Sequence, residues 1–172
     1  MNPKVKKTLW WSASSVASLV AIAIILVLID QLIDLLPVRD TSAMVTYLEN
    51  GDLESAKKCF AAGADINGHR KEGWSSDKHD GTTPLNAAMN SGSVKAVKWV
   101  IENGADVNKE KGSGYPIVLA AFEGNLQIVK ELEKAGVNFD VEYAKLKPSE
   151  LAERAGNSED FVEYLREREN RE

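Results

Sequence analysis

The sequence predicts an all-α protein: a stack of repeated helix-turn-helix units with short hairpin-like loops, preceded by one transmembrane helix. Three observations carry that prediction. Residues 8 to 29 hold no charge, whereas residues 41 to 172 hold 40 of the 47 charged side chains. Glycines and prolines recur at an interval of 32 residues through the polar part. Between them, apolar residues fall at the three- and four-residue spacing that lines one face of a helix. The polar part has 132 residues, long enough for one domain with a core and too short for two ordinary ones.

The apolar element comes first. From Leu9 to Ile29 the chain reads LWWSASSVASLVAIAIILVLI. As a helix rising about 1.5 Å per residue it would be about 31 Å long, which matches the bilayer's hydrocarbon core of about 30 Å. Lys4, Lys6 and Lys7 precede it, Trp10 and Trp11 fall at the headgroup level, and Asp30 and Asp34 mark the far side. The positive-inside rule then puts the N-terminus in the cytoplasm and everything after Asp30 outside it. A cleaved signal peptide needs an apolar stretch of only about 7–15 residues and small residues at a cleavage site; DQLIDLLPVRD follows instead, so an uncleaved anchor is expected. Ala13, Ala17 and Ala21 suit either a membrane-helix dimer or ordinary helix filler, the latter preferred. The expected organisation is a basic cytoplasmic N-terminus (1–8), a signal-anchor helix in the lipid bilayer (9–36), a short linker (37–40) and the repeat domain (41–172).

The repeats align on their glycines. Gly51-Asp52-Leu53, Gly92-Ser93-Val94 and Gly124-Asn125-Leu126 open equivalent segments, with a weaker fourth copy at Gly156-Asn157-Ser158. Twelve residues after each of the first three stands a second glycine, at Gly63, Gly104 and Gly136. Pro84, Pro116 and Pro148 keep step. Gly51 to Gly92 is 41 residues, so the first interval carries a nine-residue insertion.

One unit can be read from Thr82-Thr83-Pro84-Leu85-Asn86-Ala87-Ala88-Met89. A threonine hydroxyl caps a helix whose first turn accepts proline, and alanines permit close packing. Gly92 closes that helix. Val94, Val97, Val100 and Ile101 line a second one, which ends at Asn103-Gly104. A unit of this size cannot bury its apolar face alone, so stacking is what makes it stable.

GTTPLNAAMNSGSVKAVKWVIENGADVNK resembles an ankyrin repeat, from its threonine-proline-leucine start to its glycine-alanine-aspartate-valine-asparagine end. The resemblance covers about residues 40 to 170. There are departures from the pattern. Asn86, Val118 and Glu150 replace the histidine expected after the leucine position, the first copy from Thr41 lacks the proline signature, and Arg166-Glu167-Arg168-Glu169 reads as a polar cap on the stack. The resemblance implies a protein-binding module without catalysis, in contact with its partner through finger-like loop tips and the concave face of the first helices. By alignment the variable concave positions are Glu49, Asn50, Asn90, Ser91, Phe122, Glu123, Arg154 and Ala155. Phe122 is read as an aromatic anchor or as a packing residue folded against Tyr115.

The insertion, His69 to Asp80, holds both histidines, with Trp74 among the charges Arg70, Lys71 and Lys78. It reads as a lengthened finger for a partner bearing an acidic patch, or as a tolerated surface loop. The expected partner-binding set is thus Trp74, Phe122, Arg70, Lys71, Lys78, Asn90, Glu123 and Arg154. No cofactor, metal or catalytic residue is expected: the histidines of the insertion lack a recognised ligand spacing, and Gly112-Ser113-Gly114 is a turn signal. Cys59 is expected in the core and Trp99 in packing. Residues 41 to 172 carry 17 basic and 23 acidic residues with the positives scattered, which argues against nucleic acid. The absence of an Asn-x-Ser/Thr sequon gives no support to a eukaryotic lumenal setting. The function expected is a membrane-anchored module binding a protein outside the cytoplasmic membrane, in a bacterium the periplasm. By an analogy of architecture alone, such a protein resembles immunity or antidote proteins against delivered toxins; the alternative is a structural scaffold of an envelope complex with a self-associating membrane helix.

Overall fold

In a computed structural model the chain divides into two units, Met1–Pro37 and Val38–Glu172. The structure describes residues 20–22, 24–25, 40–70, 81–110 and 114–171. The expected basic N-terminus lies outside these residues, as does most of the expected anchor. Within it Val20, Ala21, Ile22, Ile24 and Ile25 are helical and exposed. Among the described residues no helix is long and apolar enough to cross a membrane.

Among its described residues the second unit holds four pairs of short helices: α1 (Thr41–Glu49) with α2 (Leu53–Ala61), α3 (Pro84–Asn90) with α4 (Val94–Glu102), α5 (Pro116–Glu123) with α6 (Leu126–Lys134), and α7 (Pro148–Arg154) with α8 (Glu159–Glu169). Their starts follow from local chemistry. Thr83 Oγ1 accepts from the Asn86 N–H at 3.1 Å, Asp52 from Ser55 at 3.0 Å, and Asn125 from Ile128 at 3.2 Å, each satisfying a donor that the first turn leaves open. At α1 the cap is Asp40, which accepts from the Ser42 N–H at 2.7 Å. Thr41, where the first repeat was expected to open, turns its hydroxyl to the Asp65 N–H at 3.0 Å instead.

The first helices stack directly, α1 on α3, α3 on α5 and α5 on α7. Ala87, Ala88, Ala120, Ala121 and Ala152 are all buried there, and a methyl group is small enough to let helix axes come close. The second helices meet through larger groups. Phe60 of α2 and Trp99 of α4 pack edge to face, with centroids 5.6 Å apart. Small residues thus serve the contacts of the first helices and larger ones the contact of α2 with α4. One apolar core runs from Met44 to Leu165.

The loops that follow each second helix are joined by asparagines. Asn67 donates its amide to the Gly104 carbonyl at 2.9 Å and accepts from the Asp106 N–H at 2.8 Å. One repeat along, Asn108 donates to the Gly136 carbonyl at 3.2 Å and accepts from the Asn138 N–H at 2.7 Å. Each side chain therefore holds both a donor and an acceptor of the next loop, which fixes the spacing of the fingers. The third loop closes differently. Tyr143 and Leu146 exchange backbone hydrogen bonds of 3.0 Å each around Ala144 and Lys145, both left-handed at φ 52° and 66°.

The C-terminal end corrects the expectation of a plain polar cap. Glu169 is 8% exposed, and its carboxylate accepts from the Ser149 N–H at 2.7 Å and the Ser149 hydroxyl at 2.6 Å. Ser149 occupies the register position of Leu85 and Ile117. Where the earlier repeats bury an apolar residue, this one buries a serine hydrogen-bonded to a carboxylate from α8.

Leu85 is 2% exposed, so Leu85→Ala should cost about 2–4 kcal/mol and shift the urea midpoint of the whole stack in a single transition. Asn108→Ala should cost about 1 kcal/mol. Asn108→Asp, which keeps the acceptor for Asn138 and loses the donor to Gly136, should fall between Asn108→Ala and the wild type in the same melts.

Candidate protein-binding surface

Glu49, Asn90, Phe122 and Arg154 each stand two residues before a turn glycine, and therefore at one register position on four stacked helices. Their exposure is graded. Glu49 is half-buried, whereas Asn90, Phe122, Glu123 and Arg154 face solvent. Phe122 is 58% exposed, so of its two readings the structure shows the projecting one. Its backbone is held firmly: Asn157 Nδ2, from the next repeat, donates to the Ala121 carbonyl at 3.0 Å and the Phe122 carbonyl at 3.3 Å. Gly124 adopts φ 70° at that turn, and a Cβ there would collide with the Asn157 amide. Glycine is thus required both for the backbone angle and for the inter-repeat bond.

Arg70 departs from its expected role as an open cation. It forms an ion pair with Glu49, with the two side chains 27% and 26% exposed, so the pair closes the first end of the row. The Arg70 N–H also donates to the Thr82 carbonyl at 2.9 Å and so ties together the two ends of the insertion. Lys71, Trp74 and Lys78 lie outside the described residues.

Two features escaped the sequence reading. Tyr143, 43% exposed, stands at the base of the third hairpin with its ring against Gly114, where a Cβ would come within 2.9 Å of the ring. Neither Ala144 nor Lys145 is a usual turn residue, so no sequence signal marked that finger. The other is a cluster on the second helices. The Tyr164 hydroxyl donates to Glu133 at 2.5 Å, Arg168 Nε donates to Glu133 at 2.8 Å, and the Arg168 guanidinium lies 3.2 Å from the centre of the Tyr164 ring. Burial pushes the Glu133 carboxyl up, but the Tyr164 hydroxyl and Arg168 outweigh it and hold the group below the usual glutamate range. Burial and the bond to Glu133 push the Tyr164 phenol up. Arg168 therefore faces inward rather than forming a solvated cap.

The family model described as ankyrin repeats (3 copies) matches residues 42–143. The chain belongs to the ankyrin-repeat family. Ankyrin repeats act as protein–protein interaction modules, and the fourth helix pair, α7 with α8, lies past the matched residues. Among curated proteins, the chain is similar to BRCA1-associated RING domain protein 1 of Caenorhabditis elegans, 30% identical over 105 residues, which is 60% of this chain and 14% of that protein. It is also similar to potassium channel AKT1 of Oryza sativa subsp. indica, 32% identical over 91 residues, 51% of this chain and 9% of the channel. The chain thus matches only a small part of either relative's length.

The Glu133 cluster carries a pH dependence. Because its folded carboxyl titrates below the unfolded one, the stabilisation is complete at neutral pH. It is lost as pH falls through the ordinary glutamate value of about 4.3 and below. Glu133→Gln should lower stability at pH 7 by about 1–2 kcal/mol and flatten the acid limb of a melting-temperature profile; an unchanged acid limb would remove Glu133 as its source.

Proposed function

We propose that the chain is a non-catalytic, membrane-anchored binding protein. Its ankyrin domain engages one protein partner outside the cytoplasmic membrane, in a bacterium the periplasm, and the binding is inhibitory in the manner of an immunity protein. The observation that carries the binding surface is the row on the first helices, where Phe122 projects from a backbone held by Asn157. An aromatic side chain on a fixed backbone loses little freedom on binding and suits an anchor. The anchor is supported by the uncharged run from residue 8 to 29 behind Lys4, Lys6 and Lys7. A binding role without turnover is supported by Cys59, whose thiol is buried and pushed up by that burial, contrary to what a nucleophile needs. The linker at 37–40 is short, at most about 14 Å when extended, so the domain works near the membrane surface.

Two measurements test this. A reporter active only in the cytoplasm, fused after Glu172, should be silent; strong activity would reverse the topology. Purification from detergent-solubilised membranes should yield one stoichiometric soluble partner, and that partner's toxicity should fall when the chain is co-expressed. Recovery of several envelope proteins at unequal amounts would favour a scaffold.

A further inference from the structure

Resting on the binding role proposed above, the side chains of the row also narrow the kind of partner. Five arginines fall among the described residues, and four are ion-paired: Arg70 with Glu49, Arg166 with Glu153, Arg168 with Glu133 and Arg171 with Glu133 and Glu167. Arg154 is exposed and, among the described residues, has no carboxylate partner. This is not for want of acids nearby. Glu150 lies four residues before it on the same short helix, the spacing at which helical side chains meet, and Glu153 is its chain neighbour. Both are engaged elsewhere. Glu150 accepts from the Lys147 N–H at 2.9 Å at the start of α7, and Glu153 takes Arg166 at 2.7 Å from α8. The fold spends the two neighbouring carboxylates on its own helix ends and leaves the guanidinium open.

Arg154 stands one repeat along from Phe122 at the same register position, on helices that pack directly. Packed helix axes lie about 8–10 Å apart, a span of two to four residues in an extended peptide at about 3.3 Å each. On the other side of Phe122, Arg70 neutralises Glu49, and Asn90 is uncharged. Glu123, exposed beside Phe122, disfavours a carboxylate at that point. The row is therefore polarised, with an apolar platform in the middle and an open bidentate donor at the α7 end.

We propose that Phe122 and Arg154 form a two-point anchor for a protein segment that carries an apolar side chain and, two to four residues away, a carboxylate. The apolar group covers Phe122 and the carboxylate pairs with the Arg154 guanidinium.

The test uses the full chain in detergent and a displayed library of random twelve-residue peptides. Selection on the wild type should enrich Asp or Glu two to four residues from an aromatic or aliphatic residue. Selection on Arg154→Glu should replace that acidic preference with Lys or Arg at the same spacing, and Phe122→Ser should weaken binding of the enriched peptides at least tenfold. Both positions are exposed, and unchanged circular dichroism melts would show that the variants fold. Enriched peptides that bind all three proteins equally would overturn this anchor and leave the binding role intact, whereas failure to enrich any peptide would count against both.

Discussion

The close approach of the first helices is the constraint on which everything else in the stack depends. Ala87, Ala88, Ala120, Ala121 and Ala152 are buried on α3, α5 and α7, which pack directly against one another. The direct packing of the first helices sets which of their side chains are left at the surface. Of the residues two before each turn glycine, Asn90, Phe122 and Arg154 stay exposed while Glu49 is half-buried in its pair with Arg70. Their exposure is thus a consequence of packing, and their identity is free to serve recognition.

The asparagine ladder does for the loops what the alanines do for the helices. A backbone carbonyl and a backbone N–H of the next loop are both satisfied by one amide at Asn67 and again at Asn108. The amide carries its donor and its acceptor on separate atoms and so serves both sites at once. The ladder stops at Asp140, which stands at the register position of Asn67 and Asn108 and whose carboxylate has no N–H to donate; Asn138 accepts from the Asp140 N–H at 2.9 Å, as Asp65 and Asp106 accept from Asn67 and Asn108 in the loops before it. Beyond that point the fourth helix pair is joined by other means: a left-handed hairpin at Ala144 and Lys145, the buried Ser149–Glu169 contact, and the Glu133–Tyr164–Arg168 cluster. All three belong to that pair and its junction with the third.

The ends of the row differ as well. At the first repeat an ion pair between Glu49 and Arg70 occupies the surface, with Arg70 brought there because the insertion's ends are tied by its N–H to Thr82. At the last repeat the carboxylates of α7 are drawn to its own N-terminus and to α8, which leaves Arg154 open. Charges that look interchangeable in the chain thus acquire different roles from the bonds their neighbours already make.

The sequence by itself determined the repeat. Glycines and prolines at fixed intervals, threonine caps and apolar residues at helical spacing are local signals, and each acts within a few residues of where it is written. It also placed Phe122 and Arg154 at equivalent positions, because register follows from the same spacing. What only the tertiary structure decided were the pairings between distant residues. Arg70 finding Glu49, Glu169 reaching Ser149 twenty residues away, and Arg168 folding onto Tyr164 beside Glu133 all depend on which helix lies against which. A charged side chain long enough to reach several partners carries no record of its choice in the sequence. Thr41 shows the same limit at short range: the sequence marked a helix start, but whether Asp40 or Thr41 capped it depended on the Asp65 N–H arriving from the neighbouring loop.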